Sequence, residues 1–147
     1  MIRHGRAEDV PAIIQLLTTT LGDTSTGDAS WLIQQLERAT TLCLVDSDHE
    51  GVVGAIIGQV VADESEIHDV AVHPSFRRQG RAKALVYTFE AHAAERGVTR
   101  CFLEVRVGNQ NAIKLYKSAA YRATGSRTGY YSDGEDAIVM SKTLGGP

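Results

Sequence analysis

Two places in this chain combine residue types and spacing that could do chemistry. The first is Ile67-His68-Asp69-Val70-Ala71-Val72-His73-Pro74-Ser75-Phe76-Arg77-Arg78-Gln79-Gly80-Arg81-Ala82, an apolar strand running into an arginine-rich turn that opens a helix. A backbone that leaves a strand and starts a helix points several unpaired N–H groups at one spot, with the positive end of the helix dipole behind them. Such a spot binds phosphate. Gly80 lets the main chain approach a ligand closely, and Arg77, Arg78, Arg81 and Lys83 supply charge around it. The second place is Glu104, a carboxylate in mid-strand between Leu103 and Val105, with Tyr116 on the helix that follows. A charge there is expensive to bury unless it is solvated or paired. Partly shielded from water, such a carboxylate is a usable proton acceptor. The plainer alternatives are an outward-facing surface glutamate or one paired with Arg106 on the same strand face.

The glycine turn is not a triphosphate loop, because G-x-x-x-x-G-K-S/T is absent, and it is not a dinucleotide fingerprint, because G-x-G-x-x-G is absent too. Arg77-x-x-Gly80-x-Ala82 does resemble the pyrophosphate-binding signature R/Q-x-x-G-x-G/A of the GNAT superfamily of acetyl-CoA-dependent N-acetyltransferases. The run Leu103-Glu104-Val105-Arg106, continued by Asn109, Ala112-Ile113 and Leu115-Tyr116, sharpens the likeness. With the Tyr130-Tyr131 pair and the Glu135-Asp136-Ala137 approach to Met140, it resembles the RimI branch, which acetylates the N-terminal alanine of a small-subunit ribosomal protein. The similarity is close from Ile67 to Leu144 and only architectural before that. Two departures stand out. Lys117-Ser118-Ala119-Ala120-Tyr121 lacks the usual Leu-Gly at the end of its helix, and Ala29-Ser30-Trp31 is the nearest echo of a Pro-Trp-Ser stretch.

The resemblance implies a single α/β (α+β) domain over residues 1–147, with a mixed, mostly antiparallel sheet of about seven strands flanked by about four helices. It implies acetyl-CoA as cofactor, Glu104 as proton acceptor and Tyr116 as proton donor to the departing CoA sulfur. Val70, Ala71 and Val72 would pair by backbone with the pantetheine arm, Arg77, Arg78, Gln79, Gly80, Arg81, Ala82 and Lys83 would hold the pyrophosphate, and Asn109 would contact CoA. Tyr130, Tyr131 and Asp136 at the final hairpin, with Trp31, would line the acceptor site, although Trp31 also reads as a core residue. The acceptor is expected to be a protein N-terminus, with a ribosomal protein first in line. A small amine such as a polyamine, aminoglycoside or amino acid is the competing reading, and a non-catalytic CoA-binding module a more distant one.

Acidity favours the first acceptor. An α-amine with a pKa near 8 is already ~10% neutral at pH 7, whereas a lysine near 10.4 must give up its proton at an extra cost of about 3 kcal/mol. One strand glutamate suffices for the former.

These groups need elements to position them. Ile2 to Ala7 reads as a strand; Asp9 then caps a helix with Pro11 in its first turn and Val10, Ile13, Ile14, Leu17 and Leu21 at helical spacing. After a loop from Gly22 to Gly27, a short helix from Trp31 to Arg38 is capped by Asp28 or Ser30. Thr41–Asp46 and Val52–Val61 form a hairpin across Ser47 to Gly51, and Asp63-Glu64-Ser65 turns into the strand Ile67–Val72. A long helix with Leu85, Val86 and Phe89 on one face stops at Gly97. A strand from Arg100 to Val107, a helix from Asn111 to Ala119, and strands Tyr121–Tyr131 and Ala137–Leu144 follow, and the Gly145-Gly146-Pro147 tail frays.

With 147 residues, 43% hydrophobic and 22% charged, the chain has the composition of a globular domain. No apolar run reaches a membrane span and no leader is visible, so the expected location is the cytoplasm. A net charge of −3 argues against general nucleic-acid binding, and no His/Cys/Asp cluster has metal-ligand spacing. Cys43 and Cys101 lie in apolar strands and read as buried small hydrophobes; His68 and His73 read as structural or solvent-facing.

Overall fold

The computed structural model of the chain describes residues 1–21 and 29–144. Its strands are β1 (Ile2–His4), β2 (Thr41–Asp48), β3 (Gly51–Val61), β4 (Glu64–Val72), β5 (Arg100–Arg106), β6 (Arg122–Arg127) and β7 (Ala137–Thr143). Its helices are α1 (Val10–Leu21), α2 (Ala29–Leu36), α3 (Arg81–Glu95) and α4 (Gln110–Ser118). The strands form one sheet in the order β1-β2-β3-β4-β5-β7-β6. Every neighbouring pair is antiparallel except β4 with β5, so the mixed, mostly antiparallel sheet expected from sequence is the one observed.

The sheet is covered on both sides, which is why β2 and β3 are apolar on both faces. Leu85, Val86 and Phe89 of α3 and Ile113 and Tyr116 of α4 bury against Leu42, Leu44, Ile56 and Leu103 on one side. Val10, Ile13, Leu16 and Leu17 of α1 and Leu32 of α2 bury against Cys43, Val45, Ala55 and Ile57 on the other. Each such Leu, Ile or Phe contributes about 1.5–3 kcal/mol by leaving water.

Several boundaries differ from the sequence reading. β1 ends at His4, and Ala7–Asp9 is a 3₁₀ turn. Asp9 does not cap α1: its carboxylate reaches back to the Arg6 N–H at 2.8 Å and takes the Arg3 guanidinium at 2.7 and 2.9 Å. The hairpins are tighter than expected. Asp48 pairs with Gly51 and Val61 with Glu64, leaving the two-residue turns His49-Glu50 and Ala62-Asp63 in place of Ser47–Gly51 and Asp63–Ser65. Two-residue turns suit the natural twist of paired strands. α2 starts at Ala29, with Ser30 inside it rather than capping it. β6 stops at Arg127, so Tyr121 is a core residue before the strand, and Tyr130 and Tyr131 belong to the connection to β7. The expected loop Gly22–Gly27, the capping Asp28 and the tail Gly145–Pro147 lie outside the described residues.

One irregularity positions the site. Ile57 pairs with Asp69 but the next residue, Gly58, pairs with Ile67, so His68 is an extra residue bulged out of β4. Pairing between β4 and β5 is confined to Glu64–Ile67 against Arg100–Leu103. Beyond the bulge the two strands part, while β5 stays paired with β7 up to Arg106 against Ala137. Gly58 must be glycine here, because a Cβ would run into the Glu66 carbonyl oxygen and the Phe89 ring.

Candidate active site

The splay leaves backbone exposed on β4. Bonded and non-bonded pairs alternate in an antiparallel ladder. His73 donates to the Val53 carbonyl at 2.8 Å, so the bonded pairs run through Ala71 with Ala55, and the peptide groups of Val70 and Val72 point the other way, into the splay. Val70 and the Val72 N–H therefore face the side expected to meet a pantetheine arm, while the Val72 C=O accepts Arg77 Nε at 3.5 Å. Ala71 does not face that side, since its N–H and C=O are committed to β3.

At the end of β4 the glycine turn forms an open cavity of about 290 Å³ whose walls include Val72, Arg77, Arg78, Gly80, Lys83 and Leu115. Arg78 at φ +63 and Gly80 at φ +72 bend the chain sharply into α3. Gly80 has no side chain to cap α3, which leaves the first-turn N–H groups of this 15-residue helix to an anion. This cradle fits the pyrophosphate of CoA. The basic residues divide their work. The Arg81 guanidinium is held 3.0 Å from Asp46 on β2 and 3.1 Å from the Gln79 side chain, with the Phe76 ring at 5.0 Å. Arg81 thus braces the turn and still lines the cavity beside Arg77, Arg78 and Lys83, whereas Gln79 is not among its walls.

Glu104 lies on the face of β5 turned away from α3, with 16% of its side chain exposed. It is not paired with Arg106. Arg127 Nε lies 3.2 Å from its Oε2 without aiming an N–H at it, so that oxygen has a charge partner and no hydrogen bond. The Tyr130 hydroxyl hydrogen-bonds the same carboxylate, which raises the phenol's pKa. Tyr116 is buried, and desolvation, then the Asp69 charge, raise its pKa well above an ordinary tyrosine. It stays protonated, as a proton donor must.

Both ends of α4 help to place Tyr116. Asn109 caps the helix start, its Oδ1 accepting from Ala112 N–H at 3.1 Å, so only its amide nitrogen remains for CoA. At the other end Ala120 takes the left-handed φ of +74 without being glycine. Tyr121 N–H bonds Tyr116 C=O at 2.9 Å, Ala120 N–H bonds Lys117 C=O at 3.0 Å, and the Tyr116 and Tyr121 rings meet edge-on at 5.9 Å. That is a complete Schellman ending, so the missing glycine leaves the last turn intact.

The connection between β6 and β7 is tied to β5. Arg106 bonds Asp133 at 2.9 Å and Glu135 at 2.9 Å and lies over the Tyr131 ring at 4.0 Å, while Glu135 also takes the Gly108 N–H at 2.9 Å. Tyr130 and Tyr131 stack edge-on at 5.1 Å beside Glu104. Asp136 is exposed, and its Oδ1 accepts the Gly129 N–H at 2.7 Å, fastening this connection. Trp31 packs on the α1/α2 side of the core, the role that competed with substrate contact.

Two residues escaped the sequence reading. Asp69, a charge in an apolar strand like Glu104, carried the same signal; Arg127 carried none. Elsewhere the expectations stand: Cys43 and Cys101 are buried free thiols, burial pushing Cys43 up to about 12, and His73 Nδ1 accepts the Ser75 N–H. Among the described residues no group of three or more His, Cys, Asp and Glu could hold a metal, and no helix is long and apolar enough to cross a membrane.

The chain is similar to several known proteins. It is 42% identical over 88 residues to the ribosomal protein bS18-alanine N-acetyltransferase of Escherichia coli K12, a match covering 58% of this chain and 60% of that one. It is 30% identical to a putative enzyme of the same description from Bacillus subtilis, over 97% of this chain and 95% of the other. The crystal structure of the E. coli ribosomal-protein-S18-alanine N-acetyltransferase superposes with a TM-score of 0.88 at 28% identity, covering 100% of this chain and 95% of that one. Residues 10–121 match the acetyltransferase (GNAT) family, and to that family of acetyl-CoA-dependent enzymes the chain belongs.

Proposed function

We propose that this chain is an N-acetyltransferase that transfers acetyl from acetyl-CoA to the N-terminal α-amine of a protein, with the N-terminal alanine of ribosomal protein bS18 as the first acceptor to test. The observation that carries the reading is that Glu104, bonded to the Tyr130 hydroxyl, and the buried, protonated Tyr116 both interact with Tyr131. The names of the relatives support the acceptor. On this reading residues 1–147 form one domain that works in the cytoplasm.

Bound acetyl-CoA supplies a thioester open to attack by a neutral amine. Arg77, Arg78, Lys83 and the first-turn N–H groups of α3 hold the pyrophosphate, and the outward peptide groups of Val70 and Val72 align the pantetheine arm. The same N–H groups are placed to offset developing charge on the carbonyl oxygen. Glu104 takes a proton from the nitrogen, and Tyr116 holds one for the sulfur. Tyr130 and Tyr131 bracket the incoming residue.

The test is acetyl-CoA-dependent thiol release with a peptide carrying the ribosomal alanine N-terminus, beside the same peptide with its α-amine blocked. Release only with the open amine supports the reading. No release with either, followed by release with a polyamine or aminoglycoside, replaces the protein acceptor with a small one.

A further inference from the structure

Asp69 stands where β4 and β5 part. It is the residue after the His68 bulge, its backbone paired with Ile57 on the β3 side, and its carboxyl is largely shielded from water. Its Oδ2 is buried with no hydrogen-bond partner, and no ion pair among the described residues includes it. Glu104 already has Arg127 at 3.2 Å and the Tyr130 hydroxyl. The site therefore contains one carboxylate whose charge is compensated and one whose charge is not.

The groups that face Asp69 are few. Tyr116 from α4 and Tyr131 from the β6–β7 connection both feel its charge; Glu104 from β5 acts on the same Tyr131 hydroxyl, and Arg106 covers the Tyr131 ring. α1, which packs on β4, has no titratable side chain. With no protein cation to answer it, burial pushes the Asp69 carboxyl up to about 7.

An α-amine that arrives as ammonium must shed two protons in the course of acetylation, one before nitrogen can attack and one afterwards. We infer that Asp69 is a second catalytic carboxylate of the acceptor site: its free Oδ2 meets the acceptor's ammonium and takes the first proton, leaving the second to Glu104. In that step the N–H bond breaks with its electron pair left on nitrogen, and an O–H bond forms on Oδ2. Both carboxyls return their protons to water, and Tyr116 regains from water the one it donates, so each turnover releases one proton. A base titrating near the working pH suits this task, since it is ionised often enough to accept and acidic enough to let go. The inference rests on the N-acetyltransferase reading above.

The experiment is the pH dependence of acetyl transfer between pH 5.5 and 9 for wild type, Asp69→Asn and Asp69→Glu, with acceptors whose amines differ in pKa. Wild type should show an inflection near pH 7 that does not move with the acceptor. Asp69→Asn, which keeps size and shape, should lose ~100-fold or more in kcat/KM for the acceptor at pH 7. Its inflection should follow each amine's own pKa, with acetyl-CoA binding unchanged, and Asp69→Glu should recover part of the rate. If wild type acetylates an amine and Asp69→Asn matches its rate and profile, this inference alone falls. If wild type acetylates neither the alanine peptide nor a polyamine and aminoglycoside panel, the N-acetyltransferase reading falls and takes the inference with it.

Discussion

Glu104 meets Arg127 of β6 at 3.2 Å, across the intervening strand β7, and not Arg106 on its own strand. Arg106 is drawn instead to Asp133 and Glu135, which lower its freedom to turn back along β5. The two arginines thus do different jobs: one offsets the charge of Glu104, the other fastens the connection that presents Tyr130 and Tyr131 to it.

Removing the Glu104 carboxylate should cost more than removing the Tyr116 hydroxyl. General-base removal typically costs ~10²–10⁴-fold, whereas a thiolate with a pKa near 8.5 leaves with little help. Steady-state thiol release should therefore fall at least ~100-fold in Glu104→Gln and about tenfold in Tyr116→Phe. Wild-type rates in both variants would refute the roles given to them.

Gly58→Ala should destabilise the fold by about 3 kcal/mol or more, because the new methyl meets a backbone carbonyl and a packed ring and neither can yield cheaply. Urea unfolding measures it. A loss below about 1 kcal/mol would mean that the β4 bulge can relax around the methyl.

Ala120→Gly should act in the opposite direction. Alanine at φ +74 bears a left-handed penalty of about 1–2 kcal/mol, part of which glycine returns as unfolded-chain entropy. The net gain expected is about 0.5–1 kcal/mol, a rise in Tm of roughly 1–4 °C. A drop in Tm would show that the Ala120 methyl packs favourably.

Asp69 makes stability depend on pH. An unfolded aspartate loses its proton near pH 3.9, whereas folded Asp69 keeps it to about 7. In that window the folded chain holds the extra proton, so this residue lowers stability as pH rises from ~4 to 7, and the deficit persists above. Asp69→Asn should be more stable than wild type at pH 8 by on the order of 2–4 kcal/mol and by only about 1 kcal/mol at pH 4.5. Chemical unfolding at the two pH values decides it; equal differences at both would mean that the carboxyl is charged and satisfied.

The elements were largely legible because they rest on local patterns: Leu85, Val86 and Phe89 at helical spacing, alternation in Leu103-Glu104-Val105, Gly97 after a helix. What escaped was set at a distance. A reading of Asp63-Glu64-Ser65 as a turn follows from their polarity, yet Ser65 is buried against Cys101 of β5, with which it pairs. The bulge at His68 is a mismatch between two strands and is written in neither alone. Arg127 reaches Glu104 only because β7 inserts between β5 and β6, a crossing that no window of sequence contains. The glycine turn, by contrast, was legible because its residues are contiguous, although which arginine is tied to the sheet depended on Asp46.

That dependence on Asp46 extends beyond the turn. β2 lies two strands from the splay, yet its buried aspartate holds Arg81, the first residue of α3 and a wall of the cavity. In a mutational scan Asp46 would score with the cofactor-contacting residues, raising the Michaelis constant for acetyl-CoA as though it touched the ligand. A map of such a scan on the surface would show a cold patch at its true origin, because the side chain responsible is inside the sheet.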